Sequence, residues 1–143
     1  MPYRFLEGLT MADIAFEASG KTLEELFVSA ANAVTNTQIE DLKQIKMTEE
    51  KEFGLEAVSE ERLLHDFLQE LIFFKDSELL LFREYELKMV KAAKGYGLIV
   101  KARGEKLDPK KHTLLADVKA VSWHMFKLEK TKAGWKATVI IDV

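Results

Sequence analysis

One stretch near the start of the chain decides the fold: Ala12-Asp13-Ile14-Ala15-Phe16-Glu17-Ala18. Apolar and acidic residues alternate along it, so that Ile14 and Phe16 face one way while Asp13 and Glu17 face the other. Such a two-residue period is typical of a strand with one face on a core. The stretch therefore predicts a half-buried strand.

A helix is predicted directly after this strand. Gly20 breaks the strand, and Thr22 and Glu25 stand at the spacing of a capping box, in which two side chains satisfy the first backbone N–H groups of a helix. Apolar residues then recur every three or four positions as far as about Asn36. This spacing puts them on one stripe, consisting of Leu23, Leu26, Phe27, Ala30, Ala31 and Val34.

A second strand and helix follow in the middle of the chain. Phe53, Leu55 and Ala57 alternate within a mostly polar segment, which predicts a strand. Ser59 is a suitable N-cap for a helix that runs to about Phe74. Its predicted core face consists of Leu63, Leu64, Phe67, Leu68, Leu71 and Ile72.

The remainder of the chain has the two-residue period of strands. Four strands are predicted, around residues 81–89, 98–102, 115–128 and 135–143, with turn sequences between them. We interpret this half as a largely antiparallel meander. The predicted class is α+β, with two amphipathic helices packed on a largely antiparallel sheet.

Length and composition favour a single globular domain over residues 1–143. The chain is 48% hydrophobic and 31% charged, which argues against disorder. Its apolar runs are far shorter than the roughly 20 residues needed to span a bilayer. There is no cysteine and no recognisable secretory signal. We therefore expect a cytoplasmic protein without a membrane segment.

Charge is distributed unevenly along the chain. Residues 1–80 have a net charge of −10 and residues 81–143 one of +7, giving −3 in total. The asymmetry either steers a charged partner or disappears when the two halves interleave in the fold. Because the whole chain is slightly acidic, with a pI near 5.7, tight direct binding of nucleic acid is not expected.

Familiar catalytic patterns are absent. The sequence contains no nucleophile-elbow, P-loop or zincin motif, and Gly95-Tyr96-Gly97 is interpreted as a turn followed by a strand. The three histidines are too widely spaced to indicate a zinc site. His65 is predicted on a helix surface, while His112 and His124 have structural roles or line a shared rim.

The last two residues form an unusual ending. An apolar run leads directly to Asp142 and Val143, so a side-chain carboxylate and the chain's terminal carboxylate emerge together. A hard divalent cation would relieve their repulsion, and so would simple exposure to solvent. Asp13 is either a similar ligand or the outward residue of its strand. Lys119 is predicted to form a cross-strand salt bridge or to lie at the surface.

Several segments, taken in order, resemble the archease family. The similar segments are residues 11–20, 22–27, 63–71, 104–108, 118–124 and 139–143, and the most specific parts are Asp13, Lys119-Ala120-Val121 and Asp142-Val143. The chain departs from the family's usual pattern by reading Thr10-Met11 where many members read His-Thr, and Ser122-Trp123 where Thr-Tyr is commoner.

The resemblance implies a function through a partner. Archeases are non-enzymatic protein cofactors of the RNA-splicing ligase RtcB, which promote its guanylylation and turnover and broaden its use of nucleoside triphosphates. By this resemblance Asp13 and Asp142 would bind a metal ion, with Ca²⁺ the ion associated with such sites and the Val143 carboxylate a neighbouring ligand. Lys119 would correspond to the family's functional lysine.

The sequence leaves two other functions open. A chaperone-like adaptor would modulate a nucleic-acid-processing enzyme by surface contacts, without a metal ion. An independent metal-dependent hydrolase or nucleotidyl transferase would use Asp13 and Asp142 around a cation, but the sequence offers no clear general base or nucleophile beside them.

Overall fold

The computed structural model describes residues 2–7 and 13–143 and contains seven strands and two α-helices in that part of the chain. The predicted strand residue Ala12, with Thr10 and Met11, lies outside the described residues. In chain order the elements are β1 (Tyr3–Leu6), β2 (Ile14–Gly20), α1 (Leu23–Gln38), β3 (Glu49–Ala57), α2 (Glu60–Glu78), β4 (Leu80–Ala92), β5 (Gly95–Lys106), β6 (Ala120–Thr131) and β7 (Gly134–Asp142).

Both helices begin where their capping residues predict. The Thr22 hydroxyl accepts the Glu25 N–H at 3.1 Å, and the Glu25 carboxylate accepts the Lys21 N–H at 2.9 Å. Ser59 caps α2 by accepting the Arg62 N–H at 3.1 Å. Each helix is longer than predicted because buried residues continue beyond the apolar stripes that the sequence shows.

The strands form two antiparallel sheets. The first has the order β1-β2-β7-β6 and the second the order β3-β5-β4. The predicted single meander is therefore wrong, because the β4–β5 hairpin and the β6–β7 hairpin belong to different sheets. The α+β class itself is confirmed, with two helices packed on antiparallel sheets.

The segment between the two hairpins explains the division. Strand β6 starts at Ala120, not at residue 115 as predicted, since the preceding residues bond to the end of α1. Leu115 donates its N–H to the Gln38 carbonyl at 2.8 Å, and Leu114 forms an isolated bridge with Ile39. These bonds carry the chain across the helices before it enters the other sheet.

The helices contact strands of both sheets. Helix α1 contacts β2 and β7 of the first sheet and β4 of the second, and α2 contacts β6 and all three strands of the second sheet. Phe27 and Phe67 stack between the two helices with ring centroids 5.6 Å apart. The main core consequently lies at this junction.

Helix α2 also covers the free edge of β6. Its Glu61 carboxylate accepts the Leu128 N–H at 3.0 Å, and Gln69 accepts the Val121 N–H at 3.0 Å. His65 Nε2 lies 2.9 Å from the Val121 carbonyl oxygen. The prediction that His65 lies at the surface is wrong, because it is 7% exposed and faces this edge. Side chains thus satisfy backbone groups that would otherwise be open to strand pairing.

A wide bulge interrupts β6 beside this helix. Ser122 pairs with Ile140 and Lys127 with Thr138, so that residues 123–126 face a single residue of β7. Trp123 stacks on His65 with ring centroids 3.7 Å apart. Within the bulge, Met125 has a left-handed backbone conformation, with a φ of 57°.

A buried carboxylate fixes the loop after β5. Glu105 accepts the Lys46 backbone N–H at 2.7 Å, binds Lys111 Nζ at 2.6 Å and lies 3.0 Å from His112 Nε2. The Asp108 N–H donates to His112 Nδ1 at 2.9 Å, so Nε2 carries the proton given to Glu105. Burial raises the pKa of Glu105, but these hydrogen bonds outweigh burial and lower the pKa to about 2.

Replacing Glu105 with glutamine should lower the free energy of unfolding at pH 7 by about 1–3 kcal/mol, because charge-assisted bonds are lost in a buried site. A carboxyl whose folded-state pKa is depressed stabilises the protein above its unfolded pKa. The difference between wild type and Glu105→Gln should therefore shrink as pH falls from 4.5 towards 2. Urea unfolding at several pH values measures it, and a difference independent of pH would contradict the assignment.

Candidate functional site

The candidate site lies at one end of the first sheet, where three strands align. Strand β7 pairs on one side with β2, with Ile141 opposite Ile14, and on the other with β6, with Asp142 opposite Ala120. One residue beyond the Ile14–Ile141 pair are Asp13 and Asp142. We call Asp13, Lys119, Asp142 and Val143 the sheet tip.

Backbone bonding fixes Lys119 at the same place. Its N–H donates to the Asp142 carbonyl oxygen at 2.8 Å, so the residue lies next to the end of β7. Its side chain is exposed. The nearby Asp117 carboxylate pairs with Lys75 and not with Lys119.

Strand alternation turns the tip away from the core. Ile141 is fully buried, and Ile14 packs against the same core. Asp142 lies on the opposite face of β7, and Asp13 precedes Ile14 in the same alternation. Asp13 and Asp142 are both partly exposed, and Val143 is 37% exposed. The tip is accessible to a ligand or a partner.

The tip offers oxygen donors of one chemical type. Its side-chain donors are the two carboxylates of Asp13 and Asp142. No group of three or more His, Cys, Asp or Glu side chains able to hold a metal ion occurs within residues 2–7 and 13–143. The described side chains therefore make no closed cage, and an ion held at the tip would keep positions for water or a partner's oxygen atoms.

A buried lysine positions the segment that leads to the tip. Lys75, only 6% exposed, contacts the Asp117 carboxylate at 2.5 Å, the Asp76 carboxylate at 2.6 Å and the Val118 carbonyl oxygen at 2.9 Å. Burial lowers the pKa of Lys75, but the hydrogen bonds to both carboxylates raise it above the ordinary value, which keeps the ammonium charged. Lys75 is not among the residues predicted from the sequence, where its one signal is its place directly after the apolar Phe73 and Phe74 in the last turns of α2.

The other two histidines, His112 and His124, are not tip residues, and their environments differ. His112 is 2% exposed and bonds to Glu105, whereas His124 is exposed within the β6 bulge. Of the two alternatives for these histidines, the shared rim is wrong, since the His112 ring is buried and His124 is exposed.

Comparison with known proteins agrees with this arrangement of elements. A family model described as "Archease protein family (MTH1598/TM1083)" matches residues 3–143. The chain belongs to the archease family. Protein archease of Pyrococcus abyssi is 41% identical over 133 residues, which are 92% of this chain and 93% of that one. Protein archease of Methanopyrus kandleri is 36% identical over 143 residues and the whole of both chains.

Solved archease-like structures share the fold. The solution structure of Methanobacterium thermoautotrophicum Protein 1598 superposes with a TM-score of 0.86 at 32% identity and covers 99% of both chains. The crystal structure of a Thermotoga maritima archease, described as a possible chaperone, has a TM-score of 0.63 at 25% identity and covers 94% of this chain and 93% of that one. No helix in the described part of this archease has the length and apolarity to cross a membrane.

The buried contacts of Lys75 should stabilise both the fold and the segment before β6. Lys75→Met leaves the Val118 carbonyl oxygen without its donor, so the free energy of unfolding should fall by about 1–3 kcal/mol. Amide exchange at Lys119 should also accelerate by about tenfold or more, because the segment before β6 loses its anchor.

The matched control is Lys136→Met. Lys136 lies on β7, is more exposed than Lys75 and also pairs with two carboxylates, those of Glu17 and Glu129. Its effect should stay below about 1 kcal/mol. Hydrogen exchange read by NMR distinguishes the two variants. Equal protection of the Lys119 amide in wild type and Lys75→Met would refute a positioning role.

Proposed function

We propose that this chain activates an RNA-splicing ligase of the RtcB type by promoting its guanylylation and turnover, without catalysing a reaction itself. The observation that carries the proposal is the strand register. It aligns the acids that the family resemblance assigns to metal binding, Asp13 and Asp142, and it brings Lys119 to the same strand end.

The donor chemistry of the sheet tip supports a hard divalent cation. Carboxylate oxygens are preferred ligands of Ca²⁺ and Mg²⁺, and neither cysteine nor histidine occurs among the tip residues. We propose Asp13, Asp142 and the Val143 α-carboxylate as the ligands, with Ca²⁺ as the ion. When bound, the cation would neutralise negative charge on a nucleotide triphosphate.

The protein's own residues would act by position and charge. Strand β7 is hydrogen-bonded on both sides, so the Asp142 carboxylate is presented from rigid backbone. The exposed Lys119 ammonium can approach a phosphate oxygen as a compact positive charge. Nucleotidyl transfer depends largely on positioning and charge neutralisation, which a partner protein can supply from outside.

An adaptor without metal remains a second candidate. The Thermotoga maritima relative is described as a possible chaperone, and such a role requires surface contacts only. The two candidates differ in their dependence on Asp142 and on a cation. Both predict a physical complex with a nucleic-acid-processing enzyme.

Asp142→Asn preserves side-chain size and removes the charge. We expect the stimulation of ligase guanylylation to fall at least about tenfold, while the thermal unfolding midpoint stays within about 3 °C of wild type. The matched control Glu52→Gln removes an exposed carboxylate on the second sheet and should activate normally. Full activation by Asp142→Asn would favour the adaptor, and no stimulation by wild type would reject both the cation mechanism and ligase activation.

The role of the last carboxylate is tested by lengthening the chain. Two residues, Gly-Ser, added after Val143 move the α-carboxylate away while leaving Asp13 and Asp142 unchanged. Ca²⁺ affinity by titration calorimetry should fall about tenfold, as expected for the loss of one ligand. The same dipeptide added before Met1 is the control. Undiminished affinity in the C-terminally extended protein would remove Val143 from the ligand set.

A further inference from the structure

A groove of about 310 Å³ lies where the two helices end. It is bounded by the C-terminal turns of α1 and α2 and by the chain that crosses from β5 to β6, and Lys75 and Asp117 are part of its lining. The cation site proposed above, made of tip residues, does not include its lining residues. Its wall continues through residues 117–119 to the sheet tip.

Apolar side chains dominate one wall of this groove. Leu79, Leu114 and Leu115 line it and are 52%, 45% and 59% exposed. Leu79 is held in a left-handed conformation at the end of α2, with φ 57°. Three large aliphatic side chains left open in one concave surface are typical of a contact surface for another apolar group.

A buried amide without a partner lies in the same lining. Gln38 is 6% exposed, and its Oε1 atom is buried with no hydrogen-bond partner among the residues that the structure describes. Such atoms are rare in native proteins. Rotation about the last side-chain torsion exchanges Oε1 and Nε2, so the amide can place either an acceptor or a donor at the groove. Those two groups match a peptide backbone unit.

The charged side chains in the lining favour a ligand with a positive charge. Asp76 and Asp117 supply two carboxylates and Lys75 a single ammonium, so the lining is net negative. The Asp117 side chain is 72% exposed although it contacts Lys75. A cationic side chain entering beside the leucines would therefore meet an accessible carboxylate.

We propose that the groove binds an extended peptide segment of a partner protein, in which an apolar side chain is followed by arginine. The apolar side chain packs on Leu79, Leu114 and Leu115, a backbone amide bonds to Gln38, and the guanidinium pairs with Asp117. This binding does not depend on the identity of the partner as a ligase. It would hold the partner beside the sheet tip, because residues 117–119 belong to both.

The test is an NMR titration of the full chain, labelled with ¹⁵N, with two acetylated and amidated peptides, Ser-Leu-Arg-Ser and Ser-Leu-Glu-Ser. We expect saturable shifts at the Leu115 and Ala116 amides and at the Gln38 side-chain amide. The arginine peptide should bind about fivefold or more tightly than the glutamate peptide, as expected for one accessible ion pair.

Two variants and one control complete the experiment. Leu115→Asp and Gln38→Met should each lower the affinity for the arginine peptide about tenfold. Gln38→Met should fold normally, since it keeps the length of the side chain and removes an Oε1 atom that has no hydrogen-bond partner in the described part of the chain. The control Val58→Asp changes an apolar residue that is 73% exposed and lies just before the N-terminus of α2. This helix has 19 residues, so Val58 is about 28 Å from the groove. The Val58→Asp protein should bind the arginine peptide like wild type.

The outcomes separate the possible occupants. Shifts outside the groove, equal affinity for both peptides, or unchanged binding by both variants would overturn the proposal. Shifts at the groove that depend on protein concentration without peptide would assign it to a second copy of this chain, which would also overturn it. The titration needs no ligase, so its result is independent of the guanylylation assay.

Discussion

The position of β7 between β2 and β6 is the constraint on which the candidate site depends. An antiparallel register allows no independent movement of paired residues, so the Ile14–Ile141 pair determines where Asp13 and Asp142 lie. A shift by one residue would turn Ile141 out of the core and Asp142 into it. Core packing and the arrangement of the acids are consequently enforced by the same hydrogen bonds.

Helix α2 supports this sheet from its open side. Four of its side chains, Glu61, His65, Gln69 and Lys75, bond to the backbone in or just before β6. The last of them also contacts Asp117, where the groove and the sheet tip meet. The helix therefore connects the hydrophobic core with both surfaces for which we propose binding.

Local signals in the sequence predicted the elements, whereas their pairing required information from distant residues. The alternation around Phe16 and the caps at Thr22 and Ser59 depend on neighbours within a few positions, and the structure confirms those elements. The separation of the two hairpins depends on bonds between the 113–116 segment and α1, which no periodicity shows. Likewise, His65 and Lys75 resemble surface residues until the edge of β6 is placed against them. The assignment of Asp13, Asp142 and Lys119 to a site came from family resemblance, since their spacing in the chain gives no metal-binding pattern.

The central claim is that the ends of β2, β6 and β7 form one cation-binding surface. The direct measurement is paramagnetic broadening of amide signals by Mn²⁺, a hard divalent probe, in the ¹⁵N-labelled protein. We expect the amide signals of Asp13, Lys119 and Asp142 to broaden together at substoichiometric Mn²⁺, and Asp142→Asn to abolish this broadening. Broadening that spares these amides, or that persists unchanged in the variant, would contradict it.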